Sequence, residues 1–371
     1  MPLKGMPLKI ALLPGDGIGP EVTEEAVRVL KDVAEHSGKA FQFSTHQIGG
    51  VAIDSGGAGL PETTLEACLG AKAVLLGAVG HPKFDGRLPS ERPEAALLAL
   101  RQALGGYANL RPAICYAPLA RRTAFQPERV KGANLLIIRE LLGGLYYGEP
   151  RGFEASGNTA FNTLIYSRHE IERVARVAFT RARERRKKVA SIDKANVLET
   201  SRLWRAVVSE IGREYPDVEL EHVYVDTAAM RLATSPASFD VLLCDNLFGD
   251  ILSDQAASVA GSLGLLPSAT LGGRVDLYEP VHGSAPDIAG KGWANPIGAI
   301  ASAAMLLRFS AGMDKEAAEI DHAIEDALGN GARTRDLAAP GERALSTREM
   351  GQAIVDALHE IRDRRHSYHA V

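Results

Sequence analysis

The sequence predicts an α/β protein whose sheet is largely parallel and whose chain is not cut by a linker. Two patterns carry this expectation. Short apolar runs recur along the chain: KIALLP (9–14), AKAVLLGAV (71–79), ANLLIIREL (133–141), KKVASID (187–193) and FDVLLCD (239–245). Near-continuous apolar runs of this length suit strands buried on both faces, which is how parallel strands sit. Amphipathic stretches follow them at 19–35, 91–104, 169–186, 199–213, 248–260, 294–310, 314–328 and 346–364. Strand and helix patterns in alternation are the signature of a parallel α/β sheet. No Gly/Ser or Pro tract and no repeat array divides the 371 residues, so any domain split is expected to be interleaved.

The first strand leads into LLPGDGIGPEV (12–22), which invites comparison with a dinucleotide loop. That fingerprint needs glycines at its first, third and sixth positions and an acid about 20 residues on. Gly15 and Gly17 match, but the sixth position is Pro20, although Glu35 lies near the right distance. The better reading is a glycine turn with proline in the first turn of a helix. The segment 149–170 lacks helical periodicity and alternates aromatic with polar residues, so it is expected to form an extended arm or hairpin. The basic run RARERRKK (181–188) fits a solvated helix end.

Bulk composition narrows the function classes. Acids outnumber bases by 46 to 42, for a net charge of −4, which offers no general attraction to nucleic acid or to an anionic membrane. The three cysteines, Cys68, Cys115 and Cys244, are far apart and form neither a disulfide framework nor a zinc pattern, as expected of a cytoplasmic protein. The N-terminus repeats MPLK and suits neither a signal nor a transit peptide.

Four segments carry candidate chemistry. In DNLFGDILSDQAA (245–257), Asp250 and Asp254 are four residues apart on a helical pattern, so their carboxylates share a face. Oxygen donors without His or Cys suit Mg²⁺ or Mn²⁺; an isolated pair of this kind also fits a polar helix face. Arg101, Arg111 and Arg139 lie near predicted element ends, where they could clamp a dicarboxylate or serve as ordinary ion-pair arginines. Lys194 follows a predicted strand directly, at the end where α/β ligand crevices form, so it is either a usable base or a loop lysine. Tyr146 in GGLYYGEPRG is a candidate general acid or a packed tyrosine. Finally, EPVHGSAPDIAGKGWANP (279–296) places small residues and Asp287 before a helix. Such a turn would accept a flat adenosine, or it is a surface loop.

Taken together, LPGDGIGPEV, NLRP, GGLYYGEPRG, DKANVLE, FGDILSD and GSAPDIAGKGWANP resemble the metal-dependent β-decarboxylating dehydrogenases, nearest their isopropylmalate branch. The resemblance runs from about Lys9 to the last helix. It implies two interleaved α/β domains with a mixed sheet, not a Rossmann fold: an outer cofactor-side domain from 1–106 and 261–371, and a central dimerising domain from 107–260 with its arm near 149–170. It implies NAD-linked oxidative decarboxylation of (2R,3S)-3-isopropylmalate to 4-methyl-2-oxopentanoate and CO₂, a step of leucine biosynthesis, by a homodimer with shared sites. Within it, Arg101, Arg111 and Arg139 would hold the malate carboxylates, and Asp226, Asp250 and Asp254 would bind Mg²⁺ or Mn²⁺, with Asp226 also at the substrate. Lys194 would take the hydroxyl proton and Tyr146 would return one to carbon. Lys194 and Asp226 would come from the partner subunit.

The same resemblance assigns the coenzyme to Glu94, His282, Gly283, Ser284, Ala285, Pro286, Asp287, Ile288 and Asn295, with Ile18 brushing it. Leu97 and Leu98, one turn from Arg101, would wall an apolar side chain together with Val197. Isocitrate-type members have polar residues there. Asp287-Ile288 stands where NADP-using members have Lys-Tyr, and a carboxylate beside the ribose repels a 2′-phosphate. Tartrate or D-malate dehydrogenases of the family are the nearest alternative. A non-catalytic regulatory subunit would lack one of Asp226, Asp250, Asp254, Lys194 or Tyr146, and all are present. His81, Phe84, Asp245 and Trp293 depart from the usual pattern. Asp245 is expected either to add to the metal site or to be solvated.

Overall fold

The computed structural model describes residues 7–369; the first MPLK copy lies outside them. Twelve strands are present among the described residues: β1 (Leu8–Gly15), β2 (Phe41–Thr45), β3 (Ala73–Ala78), β4 (Ala108–Ile114), β5 (Asn134–Glu140), β6 (Gly152–Phe153), β7 (Ala160–Phe161), β8 (Lys188–Asp193), β9 (Glu219–Tyr224), β10 (Val241–Cys244), β11 (Pro267–Leu271) and β12 (Asp276–Pro280). The α-helices are α1 (Gly19–Ser37), α2 (Gly50–Asp54), α3 (Glu62–Leu69), α4 (Pro93–Leu104), α5 (Pro127–Val130), α6 (Arg168–Arg183), α7 (Glu199–Gly212), α8 (Val225–Thr234), α9 (Asn246–Ala260), α10 (Ile297–Leu306), α11 (Asp314–Gly329) and α12 (Thr347–His369).

The chain divides into two compact units. The first comprises Met1–Gly105, Tyr116–Arg122 and Gly261–Val371; the second comprises Gly106–Cys115 and Thr123–Ala260. In the first unit the strand order is β2-β1-β3-β12-β11. All neighbours are parallel except β11 and β12, which form an antiparallel pair. Every residue of β3 is buried, as expected of a strand covered on both faces. One apolar core joins Leu13, Val74 and Leu76 to Leu100 and Leu104 of α4. Helices α1, α10, α11 and α12 pack together as a second layer.

Within that layer Glu25 of α1 is buried, and its Oε2 finds no partner. Burial pushes its carboxyl up to about 7 from an ordinary 4.5, partly offset by Arg28. The folded chain therefore holds a proton that the unfolded chain has already released. The stability this contributes is complete below about pH 4.5 and is lost as the pH rises through about 7. Glu25→Gln removes that loss. Its stability relative to the parent chain should improve by roughly 2 kcal/mol between pH 4.5 and pH 8, as read by denaturant titration at the two pH values.

In the second unit the order is β4-β5-β10-β8-β9, with β4 and β5 antiparallel and the rest parallel. Helices α6 and α7 pack as one pair, and α8 and α9 as another. The segment after β5 forms a two-stranded hairpin, β6 with β7. It leaves Phe153, Phe161 and Ile165 exposed. The extended stretch is shorter than the 149–170 read from sequence, because Ser167 caps α6 by accepting from Glu170 N–H in a full capping box. The basic run also differs from a merely solvated helix end. Arg185 and Arg186 both reach the buried carboxylate of Asp240, through the Arg185 side chain and the Arg186 N–H, each at 2.8 Å.

Candidate active site

In the second unit the antiparallel pairing of β4 with β5 sets Asn109 opposite Arg139. Arg111 is two residues along, so all three side chains share one face. Arg111 Nε donates to Asn109 Oδ1 at 2.6 Å and its Nη1 donates to Ser253 Oγ at 2.6 Å. Arg139, only 2% exposed, donates from Nε to Asn246 Oδ1 at 2.9 Å. Burying a guanidinium this deeply requires such a complete set of acceptors. Helix α9 lies directly on that arginine: a Cβ on Gly249 would sit 2.8 Å from Arg139 Cβ and Cγ. Glycine in FGDILSD is thus what lets the helix settle onto the Arg139 stem.

Asp250 is the focus of the cluster. It takes hydrogen bonds from Arg139 Nη1 and from the Tyr146 hydroxyl, and Arg111 Nη1 lies 3.4 Å away. The Arg139 guanidinium stands over the Tyr146 ring at 5.2 Å. Burial first, and the bond to Asp250 second, raise the Tyr146 hydroxyl above its ordinary value. The group therefore stays protonated and can donate. One turn along α9, Asp254 is also raised, chiefly by burial, with Arg111 opposing and the Asp250 charge adding. Asp250 and Asp254 thus present carboxylate oxygens on one face of α9 beside two guanidinium groups, and the donors are all oxygen. These residues fit Mg²⁺ or Mn²⁺.

Asp226 does not join them within one chain. It lies at the start of α8 and pairs with Lys194, which follows β8 directly. The bond from Lys194 lowers the Asp226 carboxyl, and the Asp226 side chain is 63% exposed. No three His, Cys, Asp or Glu side chains among the described residues are placed to hold a metal ion. Val197 stands exposed near this pair. Asp245 is neither solvated nor a partner of Asp250. It is buried, pushed up to about 7 by desolvation, and accepts the Phe248 N–H at 2.7 Å at the head of α9.

In the first unit Arg101 is already paired. Its Nε and Nη2 donate to Glu279 Oε1 at 3.2 and 2.7 Å, and both side chains are largely buried. Glu279, at the end of β12, was not a sequence candidate. Its only local signal is an acid beside the proline that ends the short DLYEP strand. Leu97 packs against the apolar core and Leu98 is half-buried beside it. Glu94, exposed, hangs over Gly80, whose added Cβ would meet Glu94 Oε1 at 2.8 Å.

The GDG turn proves to be a structural knot. The Asp16 carboxylate accepts the N–H groups of Gly50, Val51 and Gly80 at 2.8 to 2.9 Å, joining the ends of three segments. Ile18 is buried, and its N–H donates to Ser284 O at 2.8 Å. Gly17 is obligatory there, with φ +58° and an added Cβ only 1.9 Å from that same oxygen. From Ser284 the chain turns through Ala285, Pro286, exposed Asp287 and half-buried Ile288. His282 is buried and its Nδ1 donates to Gly283 O at 2.9 Å, which leaves Nε2 an acceptor without a partner. Burial lowers the ring's value, so it is neutral. A buried acceptor with nothing to accept, beside exposed Gly283 and Asp287, fits a nucleoside. Asn295 is committed internally, to Asp336 at 3.1 Å and to Ile297 N–H at 3.0 Å. Phe84 is buried under Lys83 and Arg87, and Trp293 lies between Lys291 and Arg335.

Paired helix carboxylates, buried arginines and a protonated tyrosine on a two-unit α/β scaffold describe a metal-assisted dehydrogenase of hydroxy acids. Residues 9–354 match the family described as isocitrate/isopropylmalate dehydrogenase, and the chain belongs to that family. Its relatives include the 3-isopropylmalate dehydrogenase of Moorella thermoacetica, 55% identical over 95% of this chain and 99% of that protein. The 3-isopropylmalate dehydrogenase of Geobacillus kaustophilus is 54% identical over 94% of this chain and 95% of its own length. Among solved structures, the isocitrate dehydrogenase of Methylococcus capsulatus superposes with a TM-score of 0.85 at 38% identity, over 95% of this chain and 99% of that one. No helix among the described residues is long and apolar enough to cross a membrane.

Proposed function

We propose that this chain oxidatively decarboxylates (2R,3S)-3-isopropylmalate to 4-methyl-2-oxopentanoate and CO₂ in leucine biosynthesis, as a cytoplasmic homodimer. The observation that carries this reading is the convergence of Arg111, Arg139 and Tyr146 on Asp250, with Asp254 one turn away. When bound, NAD⁺ supplies the hydride acceptor and the divalent ion supplies Lewis acidity.

Everything else falls to side chains of the protein. Arg111 and Arg139 hold the substrate carboxylates by charge-assisted bonds, their planes already fixed by Asn109, Ser253 and Asn246. Arg101 holds a carboxylate too, exchanging part of its bond to Glu279. Leu97, Leu98 and Val197 face the apolar side chain. Lys194 takes the hydroxyl proton, and Tyr146, kept protonated, returns a proton to carbon after CO₂ departs. Asp226, Asp250 and Asp254 are the metal carboxylates. Glu94, Ile18, His282, Asn295 and the backbone of Gly283 to Ile288 form the coenzyme side, with Asp287 on the ribose.

The same arrangement supports the dimer. The Lys194–Asp226 pair is partly exposed and forms no metal-ligand group with Asp250 and Asp254 among the described residues, and a second subunit would bring the two groups together. The exposed apolar residues Phe153, Phe161, Met230 and Ile251 supply surface for that contact.

The reading is tested by following NADH formation from 3-isopropylmalate with Mn²⁺ and with EDTA. Stoichiometric CO₂ and NADH, abolished by EDTA and restored by Mn²⁺, are expected; turnover that survives EDTA contradicts it. Asp287→Lys combined with Ile288→Tyr replaces a carboxylate by a cation. The ratio of kcat/KM for NADP to that for NAD should rise by about 10² or more, measured by steady-state kinetics with both coenzymes.

A further inference from the structure

The turn that bears Asp287 is not braced by any helix or strand of its own. Within it, Ile288 N–H donates to Ala285 O at 3.1 Å and Lys291 N–H to Ile288 O at 3.2 Å. It is instead tied at both ends to the start of α1. Upstream, Ile18 N–H donates to Ser284 O at 2.8 Å. Downstream, Gly290 N–H donates to Glu21 Oε1 at 3.1 Å. The other oxygen of Glu21 lies 3.3 Å from the Thr347 hydroxyl at the head of α12. Thr347 itself grips the exit of the loop, donating its hydroxyl to Ala294 O at 2.7 Å and its N–H to Gly292 O at 2.9 Å. A half-buried carboxylate thus anchors the downstream end of the turn through the Gly290 N–H, and Thr347 holds the loop exit beside it.

We infer that Glu21 is a positioning residue for coenzyme recognition. Its carboxylate holds the downstream end of the Ser284–Gly290 turn and so fixes where Asp287 presents its oxygens. The inference rests on the reading of 282–288 as the coenzyme side and adds a residue that touches no ligand. Aspartate recognition of a ribose is directional. A turn anchored at one end only would sample other orientations, and binding would pay to restore the productive one.

The test compares Glu21→Ala, Glu21→Gln and the parent chain. Alanine removes the acceptor for Gly290 N–H, whereas glutamine keeps a carbonyl oxygen there. NADH affinity is read by fluorescence titration. Hydrogen exchange is followed over residues 285–292, with and without NADH. Glu21→Ala should weaken NADH binding about five- to tenfold, the net worth of one ordinary intramolecular hydrogen bond. It should speed exchange in 285–292 of the unliganded protein and raise KM for NAD, while kcat and the KM for the hydroxy acid stay within about twofold. Glu21→Gln should recover most of the affinity. Thr347→Val, which removes the hydroxyl bonded to Ala294 O and beside Glu21 but leaves Glu21 to accept from Gly290 N–H, should show a smaller shift of the same kind.

Equal NADH affinity and equal exchange for Glu21→Ala and the parent overturn the inference, as does a change confined to kcat or to the substrate KM. Failure of the underlying reading looks different: the parent chain would bind NADH without protecting 282–292, or would not bind it. If Glu21→Ala does not fold, Glu21→Leu decides, since it keeps the bulk and offers Gly290 N–H no acceptor; NADH affinity and exchange equal to the parent chain overturn the inference.

Discussion

Asp250→Asn should reduce kcat by about 10³ or more, the largest loss expected of any single change in this molecule. The substitution keeps the volume and removes one charge. Asp250 receives Arg139, Tyr146 and Arg111 together. Neutralising it leaves a guanidinium that is 2% exposed without its main anion, at a cost of about 1–3 kcal/mol of stability. It also lowers the negative charge that would attract the proposed divalent ion. Three readouts should therefore move together: kcat at saturating substrate, the Mn²⁺ concentration for half-maximal rate, and the unfolding midpoint. A variant with unchanged Mn²⁺ dependence would show that Asp250 serves only the arginines. Tyr146 adds an internal control, because Tyr146→Phe removes the hydroxyl and leaves the Arg139–Asp250 pair standing.

Lys194→Ala is the second large effect, with kcat expected to fall by about 10²–10⁴, the range of a lost general base. The unfolding midpoint should move little, since the Lys194–Asp226 pair is partly exposed. The sharper consequence concerns architecture. If Lys194 and Asp226 serve the site of the partner subunit, then Lys194→Ala and Asp250→Asn subunits complement each other. A mixed dimer carries one doubly damaged site and one intact site. Co-expression of the two inactive variants should restore about a quarter of the parental activity: random pairing makes half the dimers hybrid, and each hybrid has one working site of two. Activity no higher than that of either variant alone would place all these residues in a single subunit's site.

Much of the scaffold was legible in the primary structure, and the reasons are local. The five apolar runs appear as β1, β3, β5, β8 and β10, because strands buried on both faces leave an unbroken apolar signature. The strands that escaped detection lack it. β4 contains Arg111 and Pro112, so it reads as an arginine loop, yet Asn109 and Arg111 are buried within it. β2 and β9 lie at the end of their sheets and alternate with polar residues. β11 and β12 are short and bounded by proline. The same divide applies to the site. Asp250 and Asp254 are visible because helical spacing is a local property, and α9 carries both. Glu279 is 178 residues from Arg101, and nothing local marks that pairing. The acceptors Asn109, Asn246 and Ser253 escaped for the same reason: they matter only through guanidinium groups that the fold brings to them. Asp245 illustrates the limit of pattern alone, since a carboxylate beside the metal-site helix proved to be its buried N-terminal cap.

The GDGIGPEV segment gathers these points. Two of its glycines lie close against backbone carbonyls, Gly15 against Ala78 O and Gly17 against Ser284 O. Asp16 ties three strand and helix ends together, and Ile18 and Glu21 hold the turn where the coenzyme is proposed to bind.

The central claim is substrate identity, and one comparison addresses it most directly: kcat/KM for 3-isopropylmalate, D-malate, tartrate and isocitrate under one set of conditions with NAD and Mn²⁺. If Leu97 and Leu98 wall the side chain as proposed, an isopropyl group should add about 10² or more in kcat/KM over D-malate, and isocitrate should be excluded by its unpaired third carboxylate. A D-malate or tartrate value equal to or above that for 3-isopropylmalate would contradict the account.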